Sequence, residues 1–120
     1  MPNKLSPEEI ELKLAAIQSG GVYYKHWLEM RYTEGVKYMA ELCSAYWLID
    51  AIASHQPNPK VRNEDFQVWT LHVHNRKARL VCEDGNGHKI AVQIIPFTDF
   101  PLPEITIWVE SGVMLMPKEH

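Results

Sequence analysis

With 120 residues, 46% of them hydrophobic and 22% charged, the chain has the size and apolar content of one globular domain that buries a core without disulfides or metal. Its composition excludes the low-hydrophobicity, high-charge signature of disorder. A formal net charge of -3 supplies no field to draw phosphates or anionic lipids, which disfavours non-specific nucleic-acid binding and membrane adhesion.

The first residues, MPNKLSPEE, carry no apolar signal core, and no run of about 18 apolar residues follows. The expectation is a cytoplasmic protein with no membrane partner. Ser6, Pro7 and Glu9 combine a capping hydroxyl, proline at the first helical position and a glutamate three residues after the cap, which predicts a helix from about Pro7. Ile10, Leu14 and Ile17 fall on one face of it, and Ser19-Gly20-Gly21 ends it. The next stretch, VYYKHWLEMRY, fits neither the helical nor the strand period and reads as an ordered connection.

Thr33 then caps a long helix over residues 33–56, with Glu34 in the first turn and a stop at Pro57-Asn58-Pro59. Apolar residues from Val36 to Ala53 cover every face of it, so it reads as a central buried helix rather than a surface one. From Phe66 the period changes to two. FQVWTLHV, ARLVCED, KIAVQII, EITIWVE and GVMLMP are five strand-like runs separated by turn residues. Setting Trp69 opposite Cys82, Leu71 opposite Leu80 and Val73 opposite Ala78 collects one apolar face. The Asp84-Gly85-Asn86-Gly87 turn then sets Ile90, Val92 and Ile94 on that same face. Between the third and fourth runs, residues 96–103 hold three prolines and two phenylalanines, a stiff loop with aromatic anchors.

The predicted architecture is one α+β domain over residues 1–120. Two N-terminal helices, in a helical part of about 6–56, pack on one face of a largely antiparallel meander of about five strands over about 65–117.

No residue stands as catalytic: there is no GxSxG elbow, P-loop or GxGxxG, and neither Cys43 nor Cys82 has a patterned histidine. The two cysteines read as buried thiols in a reducing compartment. His72 and His74, two apart on a strand, emerge on one face, yet no HExxH, CxxC or carboxylate cluster completes a site, so the reading is no metal and no cofactor. Asp50 needs a partner if buried in its helix, and Asp99 reads as a turn residue; with His72 and His74 they are the candidates for a polar ligand site. His74-Asn75-Arg76-Lys77-Ala78-Arg79 is a small basic cluster on a hairpin tip, the basis for a nucleic-acid alternative. The second face of the sheet is more apolar than water alone would select. Phe66, Val81, Ile95, Trp108, Met114 and Met116 are placed there as a candidate interaction surface.

The strings YTEGVKYMAELCSAYWLIDAIASHQ, FQVW, DGNG, QIIPFTDFPLPEI and GVMLMPKEH resemble a family of small proteins from bacteria, phages and mobile elements described as a domain of unknown function. The resemblance spans roughly residues 22 to 120, implies a self-contained domain and carries no activity, cofactor or catalytic residue with it. The reading of the residues is therefore a small non-catalytic domain that self-associates or binds a protein partner. The alternatives are a ligand-binding protein or enzyme with a cleft between residues 22–32, residues 96–103 and the sheet, and a nucleic-acid accessory factor.

Overall fold

The computed structural model describes residues 5–16, 23–25 and 30–120. In chain order its elements are α1 (Pro7–Ala15), β1 (Tyr23–Lys25), β2 (Arg31–Thr33), α2 (Glu34–Leu42), α3 (Tyr46–Ser54), α4 (Pro59–Arg62), β3 (Phe66–His74), β4 (Lys77–Asp84), β5 (Lys89–Ile95), β6 (Glu104–Glu110), β7 (Val113–Leu115) and a 3-10 turn at Pro117–Glu119. The chain is α+β, as its patterning predicts. The strands form one mixed sheet in the order β1-β2-β7-β6-β3-β4-β5, with β2 and β7 parallel and the other pairs antiparallel.

The capping box of α1 is present in full: Glu9 N–H donates to Ser6 Oγ and Ser6 N–H to Glu9 Oε1, both at 3.2 Å. Ile10 is its buried residue. Ile17, Ser19, Gly20 and Gly21, expected to complete and end this helix, and residues 26–29 of the aromatic stretch lie outside the described residues.

The aromatic stretch supplies two strands that sequence patterning does not reveal. β1 and β2 pair with Tyr24 opposite Tyr32, their rings stacked at 5.7 Å, and β2 joins the sheet alongside β7. Each is three residues long, too short for a period of two to show. Among the described residues the sheet therefore has seven strands rather than about five.

The single helix expected over residues 33–56 is two, and a further short helix, α4, begins at Pro59 where the sequence predicts only a stop, so the described residues hold four α-helices rather than two. α2 ends at Leu42, Ser44 takes a left-handed φ of 52°, and α3 begins at Tyr46. α2 buries Val36, Met39 and Ala40; α3 buries Leu48, Ile49, Ile52 and Ala53. At about 100° per residue these two stripes would point about 180° apart on one continuous helix. That phase difference produces the apolar girdle in the sequence, and the break at Ser44 turns both stripes toward one core.

That core joins Ile10, Val36, Met39, Leu48, Ile49, Ile52 and Val61 of the helices to Trp69, Leu71, Leu80, Cys82, Ile107, Val109 and Met114 of the sheet. The helices thus cover one side of the sheet. The β3–β4 register is the predicted one, with Trp69 opposite Cys82, Leu71 opposite Leu80 and Val73 opposite Ala78. The β4–β5 register is one residue off the prediction: Cys82 faces Ala91, Leu80 faces Gln93 and Ala78 faces Ile95, with a bulge next to Glu83 that leaves Ile90 unpaired. A bulge adds one residue to one strand and so inverts the faces beyond it. Gln93 is accommodated on the helix side because His55 Nε2 lies 2.7 Å from its Oε1.

The 96–103 loop is anchored as its composition suggests. Phe100 and Leu102 are buried, Phe100 meets Trp47 edge-on, Thr98 N–H donates to Arg76 O and Val73 N–H to Pro103 O.

Candidate interaction surface

Residues opposite one another on neighbouring strands share a face, so the side of the sheet away from the helices, its open side among the described residues, can be followed in rows. One row is Val92, Val81, Thr70 and Thr106 across β5, β4, β3 and β6. The next is Glu83, Val68, Trp108 and Leu115, from β4 to β7, followed by Phe66, Glu110 and Val113. At the other end Ile94, Arg79, His72 and Glu104 form a polar row that begins with one aliphatic residue.

Phe66, Val81 and Trp108 therefore stand on the open side, where the sequence places them. Ile95, Met114 and Met116 do not: Ile95 packs against the core, and Met114 and Met116 belong to it. The one-residue shift in β5 replaces Ile95 with Val92 and Ile94. Val113 and Leu115 take the place of the two methionines because β7 pairs Val109 with Met114. Period-two hydropathy gave no signal for the shift, since Ile90, Val92 and Ile94 look more apolar than Ala91, Gln93 and Ile95.

Exposure is uneven along these rows. Val81 and Leu115 are buried. Trp108 is half-buried, touched edge-on by Phe66 at 5.2 Å and by His120 at 5.4 Å. At β5 the shelter ends: Val92 is 48% exposed, Ile94 68% and the following Phe97 65%, with the Arg76 guanidinium 5.2 Å from the Phe97 ring. The apolar surface left to water on this side is concentrated at the β5 end.

The polar candidates are not brought together. Asp50 lies exposed on α3, in the helix layer, whereas His72 and His74 project from the opposite side of the sheet and Asp99 is exposed in the 96–103 loop. His72 Nδ1 faces Glu104 Oε1 at 3.7 Å, both side chains about half exposed. Among the described residues there is no group of three or more His, Cys, Asp or Glu side chains placed to hold a metal ion. Nor does any helix among them have the length and apolarity to cross a membrane. His72, His74, Lys77 and Arg79 share the open side at the β3–β4 hairpin, with Glu104 beside His72.

Two clefts open among the described residues; Tyr24 of the 22–32 segment lines one and Met30 the other, and residues 96–103 line neither. One, of about 360 Å³, lies between α1, β1 and α2 and is lined by Lys13, Tyr24, Lys37, Tyr38 and Glu41 among others. Lys37 Nζ is 3.0 Å from Glu41 Oε2 and 5.1 Å from the Tyr24 ring centre, and Tyr46 donates to the same carboxylate. The Lys37–Glu41 hydrogen bond raises the ammonium's pKa and lowers the carboxyl's. Lys37, Glu41 and Tyr46 thus satisfy one another. The other cleft, of about 530 Å³, is bordered by Gln56, Arg62, Asp65 and Gly112.

A family model described as a family of unknown function, DUF6876, matches residues 8–120. The chain belongs to this family. A crystal structure described as a protein of unknown function from Enterococcus faecalis is similar to it, with 18% identity over 74% of this chain and 87% of that one and a TM-score of 0.53. At that identity the likeness is one of fold. No curated protein matches the sequence.

In this DUF6876 chain the strings that carry the resemblance have architectural roles. Thr33 and Gly35 of YTEGVKY receive the Glu119 carboxylate at the start of α2. Thr98 of TDFPL accepts the Phe100 N–H at 3.1 Å, closing the turn that aims Phe100 at Trp47. Asp84 of DGNG accepts the N–H groups of Asn86 and His88.

Proposed function

We propose that this DUF6876 protein is a non-catalytic interaction domain that self-associates at the β5 end of its sheet, where the apolar side chains of the open side are exposed. The observation that carries the reading is the pair Val92 and Ile94, 48% and 68% exposed on a strand at the sheet's end. Exposed β-branched residues on a terminal strand are a standing invitation to pairing unless charge or proline guards them. Light scattering over a dilution series tests it: the expected mass rises from 13.9 kDa toward twice that value as concentration increases. A monomer mass at every concentration overturns it.

A ligand-binding reading is supported by one observation, the cleft between α1, β1 and α2 with its tyrosine faces beside Lys13 and Lys37. It calls for a small molecule retained through purification and released on unfolding.

A further inference from the structure

We infer that β5 pairs edge to edge with β5 of a second copy of this chain, antiparallel and centred on Gln93, so that the two seven-stranded sheets run on as one. This rests on the self-association reading and names the strand that performs it.

β5 is the last strand of the sheet, bonded to β4 on one side only. Among the described residues no backbone hydrogen bond from another element reaches its outer edge. An unsatisfied strand edge is a template for another strand, and β5 is held in place to act as one: α4 contacts it, and Gln93 is fixed by His55 at 2.7 Å. From Ile90 to Ile95 the strand carries neither a charge nor a proline, two of the features that protect an edge.

The ends of the pairable stretch are marked. At one end the bulge leaves Ile90 out of the ladder; at the other stands Pro96, which has no N–H to give. Five residues, Ala91 to Ile95, lie between them, and their midpoint is Gln93. A two-fold axis there sets Val92 of one copy opposite Ile94 of the other, twice, on the open side, and Ala91 opposite Ile95 on the helix side. Moving the axis to Val92 would draw Ile90 and its bulge into the ladder, and moving it to Ile94 would require Pro96 to pair with Val92. Only the Gln93 centre uses the whole regular stretch, and it removes from water the two aliphatic side chains that the protomer leaves most exposed on this side. The same geometry leaves Trp108, three strands inboard, outside the contact.

The test combines surface variants and crosslinking of the full chain. Ile94→Lys and Val92→Lys change exposed residues, so thermal unfolding is expected to be unchanged at low concentration, while the monomer–dimer midpoint in light scattering moves up by about tenfold or more, the loss of two symmetric cross-strand pairs. Trp108→Asp is expected to leave that midpoint where it is. The double variant Val92→Cys/Ile94→Cys is expected to give a covalent dimer under mild oxidation or with a short thiol crosslinker, because directly opposed Cβ atoms lie about 4.5–5.5 Å apart; Val81→Cys, one strand inboard, is expected not to. Cys43 and Cys82 are buried and leave a clean background. A wild-type dimer that Trp108→Asp dissociates and Ile94→Lys does not, with crosslinking through Val81→Cys, would keep self-association and overturn the edge. A wild-type monomer at all concentrations overturns both.

Discussion

Glu119 Oε2 accepts the backbone N–H of Gly35 at 3.2 Å, and its carboxylate fills the space that any side chain at position 35 would need: a Cβ there would lie 2.5 Å from the Glu119 carboxyl carbon. The same carboxylate accepts Thr33 Oγ1–H at 2.6 Å and Met116 N–H at 2.8 Å, while Thr33 Oγ accepts Val36 N–H at 3.3 Å. The C-terminal turn is thereby tied to the first turn of α2, where exposed N–H groups favour a negative charge.

This relationship makes the two positions interdependent. Glu119→Ala is expected to cost about 1–2 kcal/mol of stability through lost capping and hydrogen bonds. Gly35→Ala alone evicts the carboxylate and is expected to destabilise, despite a helix-propensity gain of up to about 1 kcal/mol. In the Glu119→Ala background the same substitution should become neutral or stabilising. Urea unfolding of the four proteins of this cycle checks the change of sign; additive effects would refute the coupling.

Gln67, 2% exposed, is the polar centre of the core. Its amide nitrogen donates to Gln56 Oε1, Val61 O and Glu64 O, and its oxygen accepts from Gln56 Nε2 at 2.9 Å and Trp69 Nε1 at 2.8 Å. Gln67→Leu keeps the volume and leaves the indole N–H and the Val61 carbonyl without these partners, an expected loss of about 3 kcal/mol. The unfolding midpoint followed by tryptophan fluorescence checks it.

Burial pushes the Cys43 thiol up to about 11 and the Cys82 thiol to about 12, the latter aided by the carboxylates of Glu64, Glu83 and Asp84. Each folded pKa is above the unfolded one, so the folded state holds protons that the unfolded state loses. The stability concerned is fully present below about pH 8.5 and is lost as pH rises toward 11–12, by up to about 1.4 kcal/mol per pH unit for each thiol. The urea midpoint is expected to fall steadily between about pH 9 and 11, and more gently in Cys82→Ala. Neither thiol should react with a disulfide reagent at neutral pH until the chain unfolds.

Asp84 behaves in the opposite sense. The backbone N–H of His88, with that of Asn86 and the His88 ring, holds its carboxyl below the ordinary value of 3.8. Its contribution is present above that value and is lost as pH falls through the lowered one. Asp84→Asn should flatten the acid limb of the stability curve, measured by urea unfolding between about pH 5 and 2.

The starts of α1 and α2 and the β3–β4 pairing were legible because each depends on local sequence: Ser6 and Thr33 cap where expected, and Trp69 meets Cys82. α4 was missed although Asn58 caps it and Pro59 stands at its first position, and three further features were not legible. The break at Ser44 has no glycine or proline to mark it, and the half-turn offset between the Val36 and Leu48 stripes imitates one buried helix. β1 and β2 are strands by virtue of pairing with each other and of β2 with β7, a tertiary contact. The β5 bulge overrides hydropathy because His55, 38 residues away in sequence, satisfies Gln93. The last of these decides the interaction surface, since it sends Ile95 inward and Val92 and Ile94 outward.

Native mass spectrometry of freshly purified protein tests the central claim most directly, because one spectrum reports both subunit number and any retained molecule. A species of twice 13.9 kDa without adduct, growing with concentration, is the expected result. A 13.9 kDa monomer carrying a metal or small molecule at all concentrations would contradict it and turn attention to the cleft between α1, β1 and α2.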